Sequence, residues 1–313
     1  MKKIDIIVLN FNGAGILPKC LPSIVGAAKR SLLPCQVIVL DNGSTDNSLE
    51  YVKKTFPQVK IISARENKVL FSYNELLPKL DSDIVILLNN DIKVEPDFIS
   101  PLISRFSSPS VFAVAPKQLS FSGKTHEGGK NKLEFHFGLM ASGPLYGEDP
   151  IMDEPGATFY EANSAYDRKK FVELGGFDDI YFPSTWEDAD LCYRAWKRGW
   201  TMLYEPKSVI YHHESYTITK EINNNNLIFK DRRANNRRNA FIFIWLNITD
   251  PAILFAHVLF LPFNLLNSLL YDRAKIVGFF QAVQYLPRIL KKRKIIKQTE
   301  HLSDRTVFML AQK

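Results

Sequence analysis

Three carboxylates fall within four residues in Trp186-Glu187-Asp188-Ala189-Asp190-Leu191, where a helix should begin. Acids at a helix start favour its dipole. Neighbouring acids also repel, which raises a pKa and creates a usable general base. On this motif alone both readings stand. Two more acids follow short apolar runs. Asp41 ends Val37-Ile38-Val39-Leu40 and leads into Asn42-Gly43-Ser44-Thr45-Asp46, while Asp91 follows Ile84-Val85-Ile86-Leu87-Leu88-Asn89-Asn90. A carboxylate closing a buried strand ahead of a glycine turn suits a nucleoside base or ribose hydroxyl. Asp46 and Ser48 read instead as the cap of the next helix. Asp91 offers a hard oxygen ligand for a divalent cation. His212-His213 closes another apolar run, 208–211, and adds a metal-ligand signal.

Two patterns carry no such chemistry. Gly13-Ala14-Gly15-Ile16-Leu17-Pro18 approaches a dinucleotide fingerprint, but Pro18 replaces the third glycine and no acid closes a second strand at the required distance. It reads as a loop entering a helix, with Pro18 near the first turn. Asp81-Ser82-Asp83 precedes its strand, at the end away from the other groups, and reads as a turn.

The elements that position these residues follow from periodicity. Runs 4–9, 37–40, 59–62 and 84–88 are compact and rich in Ile and Val, and stretches 15–31, 48–55 and 72–80 between them are long enough for helices. The alternation predicts parallel βαβ units and an open α/β sheet. Ligands bind such sheets beyond the carboxyl ends of the strands. Residues 10–12, 41–46, 63–67 and 89–91 are therefore expected to assemble one site. Helices are predicted at 167–174 and 187–197, ended by Gly175-Gly176 and Gly199, with Asp190 and Arg194 spaced to pair. Glycines and prolines between 120 and 160 indicate an irregular or hairpin insertion, either a cleft wall or a surface loop.

Composition limits the class. A chain of 313 residues with 46% hydrophobic and 23% charged residues can bury a full core. Cys20, Cys35 and Cys192 are odd in number and scattered, against a disulfide framework or structural zinc. The apolar run at 4–9 is too short for a signal-peptide core, so folding in the cytoplasm is expected. The net charge of +7 is uneven: from Asn223 onward there are 15 Lys/Arg against 5 Asp/Glu, and before it 25 against 28. Asn223 to Asn226 forms a polar spacer, taken as a domain boundary. Residues 251–271 then give 21 positions without a charged side chain, flanked by basic runs at 230–238 and 288–297. That length can span a bilayer. A single crossing would put one basic run on the far side, against the positive-inside tendency. Pro251, Pro262, Asn264 and Asn267 also interrupt it. In-plane attachment to an anionic membrane is the expectation, with a span or hairpin through 241–271 and a buried core as alternatives. Nucleic acid is not an expected partner, because the basic tail is interleaved with lipid-like apolar runs.

Six segments taken together resemble the large inverting glycosyltransferase family 2, especially its bacterial rhamnosyltransferase-like branch. They are Val8-Leu9-Asn10-Phe11-Asn12-Gly13, the Asp41 to Asp46 turn, Leu87-Leu88-Asn89-Asn90-Asp91, Leu174-Gly175-Gly176-Phe177-Asp178, Glu187-Asp188 with Asp190-Leu191, and His212. The resemblance runs from about Ile4 to Thr217. It implies an α/β GT-A nucleotide-sugar-binding fold with a mostly parallel sheet over 1–222, the helical, basic and apolar tail occupying 223–313. It implies Asp188 as general base and Glu187 as the neighbour that orients the acceptor. Asp41 would contact the base of the nucleotide-sugar donor with Asn12 beside it, and Asn10, Asn67 and Asn90 complete the nucleotide set. Asn89-Asn90-Asp91 stands where the family carries its D-x-D-like motif. Asp91 and Asn89 are thus expected to hold Mg2+ or Mn2+, with His212 completing the site.

Two departures matter. Asparagines replace aspartate in the metal motif, and Asn67-Lys68-Val69-Leu70 lacks the glycine of the family's N-x-G-F. The expected reaction is sugar transfer to a hydroxyl of a glycan or lipid-linked acceptor in cell-surface polysaccharide synthesis, at the cytoplasmic face of a bacterial inner membrane. The competing readings are a polyprenyl-phosphate glycosyltransferase and a non-catalytic sugar-nucleotide-binding membrane protein.

Overall fold

The computed structural model describes residues 2–144, 150–213 and 231–311, with backbone only at Pro150 and Ile151. The 223–226 spacer, the boundary set there and Lys230 lie outside the described residues. Period-two burial on both faces makes the central strands. In β1 (Ile4–Asn10), Ile4, Ile6 and Val8 join the core under α1 (Leu17–Arg30), while Ile7 faces the opposite core. Strands β2 (Cys35–Asp41), β3 (Lys60–Ser63) and β4 (Ile84–Asn89) lie parallel with it, in the order β4-β1-β2-β3. Helix α2 (Ser48–Thr55) connects β2 to β3. The predicted helix at 72–80 is broken, leaving only a short α3 (Tyr73–Leu76) between 3-10 turns. The register sets Asn10 opposite Asp41 and Leu9 opposite Asn89, so the polar ends of three strands share one edge.

The second half extends the sheet. After the short β5 (Ile92–Val94) and α4 (Ile99–Ser104) come β6 (Val111–Ser120) and β7 (His126–Gly128). The insertion is a hairpin of β8 (Asn131–His136) and β9 (Leu139–Pro144), forming its own two-stranded sheet. After β10 (Gly156–Ala157), β11 (Ala165–Asp167) fits antiparallel between β4 and β6. Asp167 caps α5 (Arg168–Glu173), and Gly175 and Gly176 follow at positive φ. Helix α6 (Glu187–Lys197) takes its expected bounds, with Arg194 Nε donating to Asp190 Oδ2 at 2.7 Å. Finally β12 (Thr201–His212) runs parallel to β6 and places His212 beside Ile92 of β5.

Among the described residues five helices follow: α7 (Arg232–Asn247), α8 (Pro251–Tyr271), α9 (Arg273–Val283), α10 (Leu286–Thr299) and α11 (Asp304–Leu310). They share a core with the sheet domain. Phe243 of α7 packs 5.1 Å from Trp186 and 5.3 Å from Tyr193 of α6, and Phe308 of α11 lies 6.2 Å from Tyr193. Helix α8 is mostly exposed, which rules out the buried-core alternative for 251–271.

Asp304 pins the last helix to α6. Its Oδ1 accepts from Lys197 Nζ at 2.8 Å and from the Tyr193 hydroxyl at 2.5 Å, and its Oδ2 accepts from the amides of Thr249 and Asp250, both at 2.6 Å. Burial alone would raise this carboxyl, yet these donors hold it below its ordinary value. Truncating one side of a buried pair leaves the other charge poorly compensated. Lys197 would retain Glu300 at 3.3 Å. Asp304→Ala should therefore cost about 3 kcal/mol, the lower end of the usual range, read as a fall in midpoint by denaturant unfolding.

Candidate active site

A knot of short polar side chains closes the edge of β1 and β2. Asn10 Nδ2 faces Asp41 Oδ1 at 3.0 Å and the hydroxyls of Ser44 and Ser48 at 3.1 Å, and Asn10 Oδ1 accepts from Asn90 Nδ2 at 3.1 Å. Gly13 makes room for this: a Cβ there would stand 2.2 Å from Asn10 Oδ1. Asp41 Oδ2 takes the amides of Gly43 and Ser44 at 3.1 and 3.0 Å, and its Oδ1 the Ser44 hydroxyl at 2.5 Å. Asn12 accepts from the Thr45 amide at 2.9 Å, and Asp46 bridges the amides of Ala14 and Ser48. Each buried polar atom thus gains a partner it needs. The knot also places Asn10, Asn12 and Asp41 behind the adjoining cavity, Asp41 only 2% exposed. Asp41, the residue expected at the donor's base, holds the loop amides from just outside the cavity lining, and its neighbour Asn42 lines the cavity.

That cavity, of about 370 Å3, gathers Asn67, Val69 and Leu70, Asn89 to Asp91 with His212, Glu161 to Asn163, Ser184, Thr185, Glu187 and Asp188, and Arg232. A larger groove of about 760 Å3 shares Asn67 but holds none of the acidic pair, Asp91 or His212. The chemistry belongs to the smaller one. Val69 stands where the family motif has glycine, and its φ is +54°, a left-handed conformation strained for a β-branched residue. The backbone keeps the glycine shape. Asn67 Oδ1 accepts from the Val69 amide at 3.0 Å, and Asn42 Nδ2 donates to its carbonyl at 2.8 Å.

Asp91 and His212 meet across the strand ends, Oδ1 to Nε2 at 3.7 Å. Asp91 Oδ1 is buried with no hydrogen-bond partner among the described residues, and burial first, then Glu127, pushes its carboxyl up to about 7. Burial, followed by neighbouring His213, pushes His212 down to about 4, so its imidazole is neutral and able to ligate. Glu127 Oε2 approaches His212 Nδ1 at 3.3 Å, in the place of a group that orients a metal-bound histidine. No group of three acidic, His or Cys side chains forms a cage among the described residues. A carboxylate and an imidazole nonetheless fit a hard divalent cation that also takes oxygens from a phosphate substrate. Asn89 lines the same wall, its amide bound to Asn163 Oδ1 at 3.0 Å.

The acidic pair is presented by an unusual helix start. Thr185 and Trp186 have φ of +79° and +71°, immediately before Glu187. Such backbone persists only when its surroundings over-determine it. Here α7 does so: Asn239 Nδ2 faces the carbonyls of Tyr181, Ser184 and Thr185 at 2.8 to 2.9 Å, and Asn236 Oδ1 accepts from Trp186 Nε1 at 2.8 Å. Glu187 is buried and its Oε2 is unbonded among the described residues. Burial, then Asp188, raises its carboxyl well above the usual range. Half-buried Asp188 is raised to about 7, again by burial, with Glu161 adding to it, while the Ala189 amide at 2.8 Å opposes the shift. Near neutrality this gives one carboxyl that keeps its proton beside one poised to accept a proton.

Residues 5–175 match glycosyl transferase family 2, over half of the chain. The chain belongs to glycosyltransferase family 2. Two curated relatives with this likeness are rhamnosyltransferases. The N-acetylglucosaminyl-diphospho-decaprenol L-rhamnosyltransferase of Mycobacterium tuberculosis is 24% identical over 245 residues, covering 70% of this chain and 78% of its own. The O-antigen chain rhamnosyltransferase RfbN of Salmonella typhimurium is 27% identical over 227 residues, covering 70% and 69%. Among solved structures, GalNAc-T7 with UDP, GalNAc and Mn2+ superimposes with a TM-score of 0.58 at 18% identity, over 79% of this chain and 48% of that one. This likeness shows the GT-A fold, and the family 2 glycosyltransferase described here spans about half of that protein.

Within this family 2 site, Glu161, Glu127, Arg232 and Asn239 escape sequence reasoning. Glu161 lies one residue past the 120–160 insertion, in a segment given no role, yet it is buried and takes the amides of Gly129 and Ala162 at 2.8 and 2.9 Å. A carboxylate amid so many apolar and glycine residues was the available signal. Two outcomes follow. The folded chain holds the Asp188 proton up to about 7 and the unfolded chain only to the ordinary carboxylate value, so ionising Asp188 weakens the fold as pH rises between them. Asp188→Asn should lower transfer roughly a thousandfold yet melt at least about 2 °C above wild type at neutral pH, the gain disappearing as pH falls toward the ordinary carboxylate range. Val69→Gly, which relieves the positive φ, should prove at least as stable as Val69→Ala in the same thermal melt.

Proposed function

We propose that this family 2 enzyme transfers a rhamnosyl group from a nucleoside-diphosphate donor to a hydroxyl of a polyprenyl-diphosphate-linked sugar, with inversion, at the cytoplasmic face of a bacterial inner membrane. The observation that carries the chemistry is that Asp188 and Glu187 line one cavity with Asp91 and His212. The rhamnosyl group and lipid-linked acceptor are supported by the names of the two relatives. The lipid link also accords with the exposed apolar length of α8.

In this reading Asn67, Asn90 and Asn42 face the donor, while Asn10, Asn12 and Asp41 fix the loop behind them. Asp188 removes the proton from the acceptor hydroxyl. Its oxygen attacks the anomeric carbon as the bond to the diphosphate breaks, a single displacement that inverts the centre. Glu187 keeps its proton and donates a hydrogen bond that orients the acceptor. Arg232 adds fixed positive charge to the cavity wall. Asp91 and His212, with Asn89 beside them, would hold Mg2+ or Mn2+, which supplies charge to stabilise the departing diphosphate.

The test incubates detergent-solubilised protein with a panel of nucleoside-diphosphate sugars and a polyprenyl-diphosphate N-acetylglucosamine acceptor, with Mn2+, Mg2+ or chelator. Expected are a preference for the rhamnosyl donor, an inverted linkage by NMR, loss of turnover with chelator, and a fall of roughly a thousandfold in Asp188→Asn. Transfer onto a polyprenyl monophosphate that survives Asp188→Asn would overturn the assignment and favour the polyprenyl-phosphate enzyme, whose anionic acceptor needs no base.

A further inference from the structure

Helix α8 turns His257, Asn264 and Ser268 toward the protein and most of its apolar residues outward, with Asn267 the exposed polar side chain among them, the reverse of a soluble amphipathic helix. His257, Asn264 and Ser268 share one face and are buried. His257 Nδ1 donates to the Gly138 carbonyl at 2.5 Å, and its Nε2 accepts from Trp245 Nε1 at 2.9 Å. Asn264 Nδ2 donates to the Phe137 carbonyl at 2.7 Å. On the other face Phe255, Leu259, Phe263, Leu266 and Leu270 are exposed at three- to four-residue spacing, Leu270 by 78%.

The tip of the β8–β9 hairpin completes this surface. Phe137, 73% exposed, stands edge-on to Phe260 with ring centres 6.0 Å apart. Gly138 lies so close to the helix that a Cβ would meet Phe260 Cβ at 2.7 Å. Phe280 of α9 is exposed as well. Contiguous apolar surface of this kind marks a binding site. Charge indicates the partner: Arg273 is exposed at the α8–α9 junction, and Lys291, Lys294 and Lys297 are exposed along α10.

We propose that α8, the hairpin tip and the outer face of α9 form one platform lying in the plane of an anionic bilayer, with α8 embedded shallowly along its length. A crossing would tear His257 and Asn264 from the hairpin, or drag the hairpin's polar backbone into hydrocarbon, where each unpaired group is costly. Lying flat keeps those bonds and leaves both basic runs on one side of the membrane. The platform deepens the membrane placement proposed above, yet it stands on surface residues alone, whatever the acceptor.

The test places an environment-sensitive fluorophore on Phe137→Cys, Phe255→Cys, Phe263→Cys or Leu270→Cys, each in the full chain carrying Cys35→Ser. Cys20 and Cys192 are already buried. Vesicles of phosphatidylethanolamine with phosphatidylglycerol should shift all four labels to the blue, and quencher lipids should report one shared shallow depth. Affinity should exceed that for phosphatidylcholine vesicles by roughly tenfold or more. Phe137→Ser should weaken vesicle binding several-fold while donor binding, followed by thermal shift, is unchanged. A depth that passes through the bilayer centre between Phe255 and Leu270 would establish a span and overturn the proposal. So would indifference to vesicles with self-association in sedimentation, which would assign the face to a second copy. Absent vesicle binding with transfer in detergent intact sinks the platform alone; vesicle binding without transfer sinks only the assigned reaction.

Discussion

The start of α6 is the constraint on which the site depends. Two successive residues, Thr185 and Trp186, hold left-handed backbone, and each such residue costs about 1–3 kcal/mol. The chain tolerates this because Asn239 and Asn236 reach in from α7 and take up the polar groups of the turn. The first turn of α6 then delivers Glu187 and Asp188 to the cavity, while Asp190, two positions further, points into a separate buried network with Tyr181, Asn247 and Arg194. Adjacent acids therefore do different work. Through this contact α7 helps to shape the wall of the cavity.

A second theme is the density of carboxyl groups around one small volume. Glu161, Glu187, Asp188 and Asp91 all line it, and burial raises each toward its neutral form. Burial disfavours the charged form of each, so ionising one makes ionising its neighbours harder. Glu161 is fixed by backbone amides, Glu187 is raised by burial and by Asp188 against the opposing charge of Arg232, and of the four Asp188 alone combines a raised value with partial access. That combination suits it to proton transfer at neutral pH.

Periodicity made much of this visible beforehand. The four parallel strands and α6 sit where alternating and helical patterns place them, because their side chains answer to burial on a fixed repeat. Asp91 and His212 were readable as strand ends that converge. Asp41 was not readable as a loop organiser, since its partners Gly43 and Ser44 look the same in a binding turn and a purely structural one. Glu161 and Asn239 were hidden for a different reason. Their roles arise from contacts between segments far apart in sequence, which no local spacing records. Val69 lies between these cases: the missing glycine was visible, but only the structure shows that the backbone kept its left-handed form.

The β8–β9 hairpin touches both ends of the molecule's business. At its base Asn131 Nδ2 donates to Glu161 Oε2 at 3.1 Å beside the cavity, and at its tip Phe137 meets α8. Strand β8 has six residues, which at about 3.3 Å each make a rod of about 20 Å. With α8 at a lipid surface, that rod is a ruler. In the proposed reaction it would set the altitude at which the acceptor hydroxyl arrives, so that chain length counted from the lipid, as well as sugar identity, would become something the fold can measure.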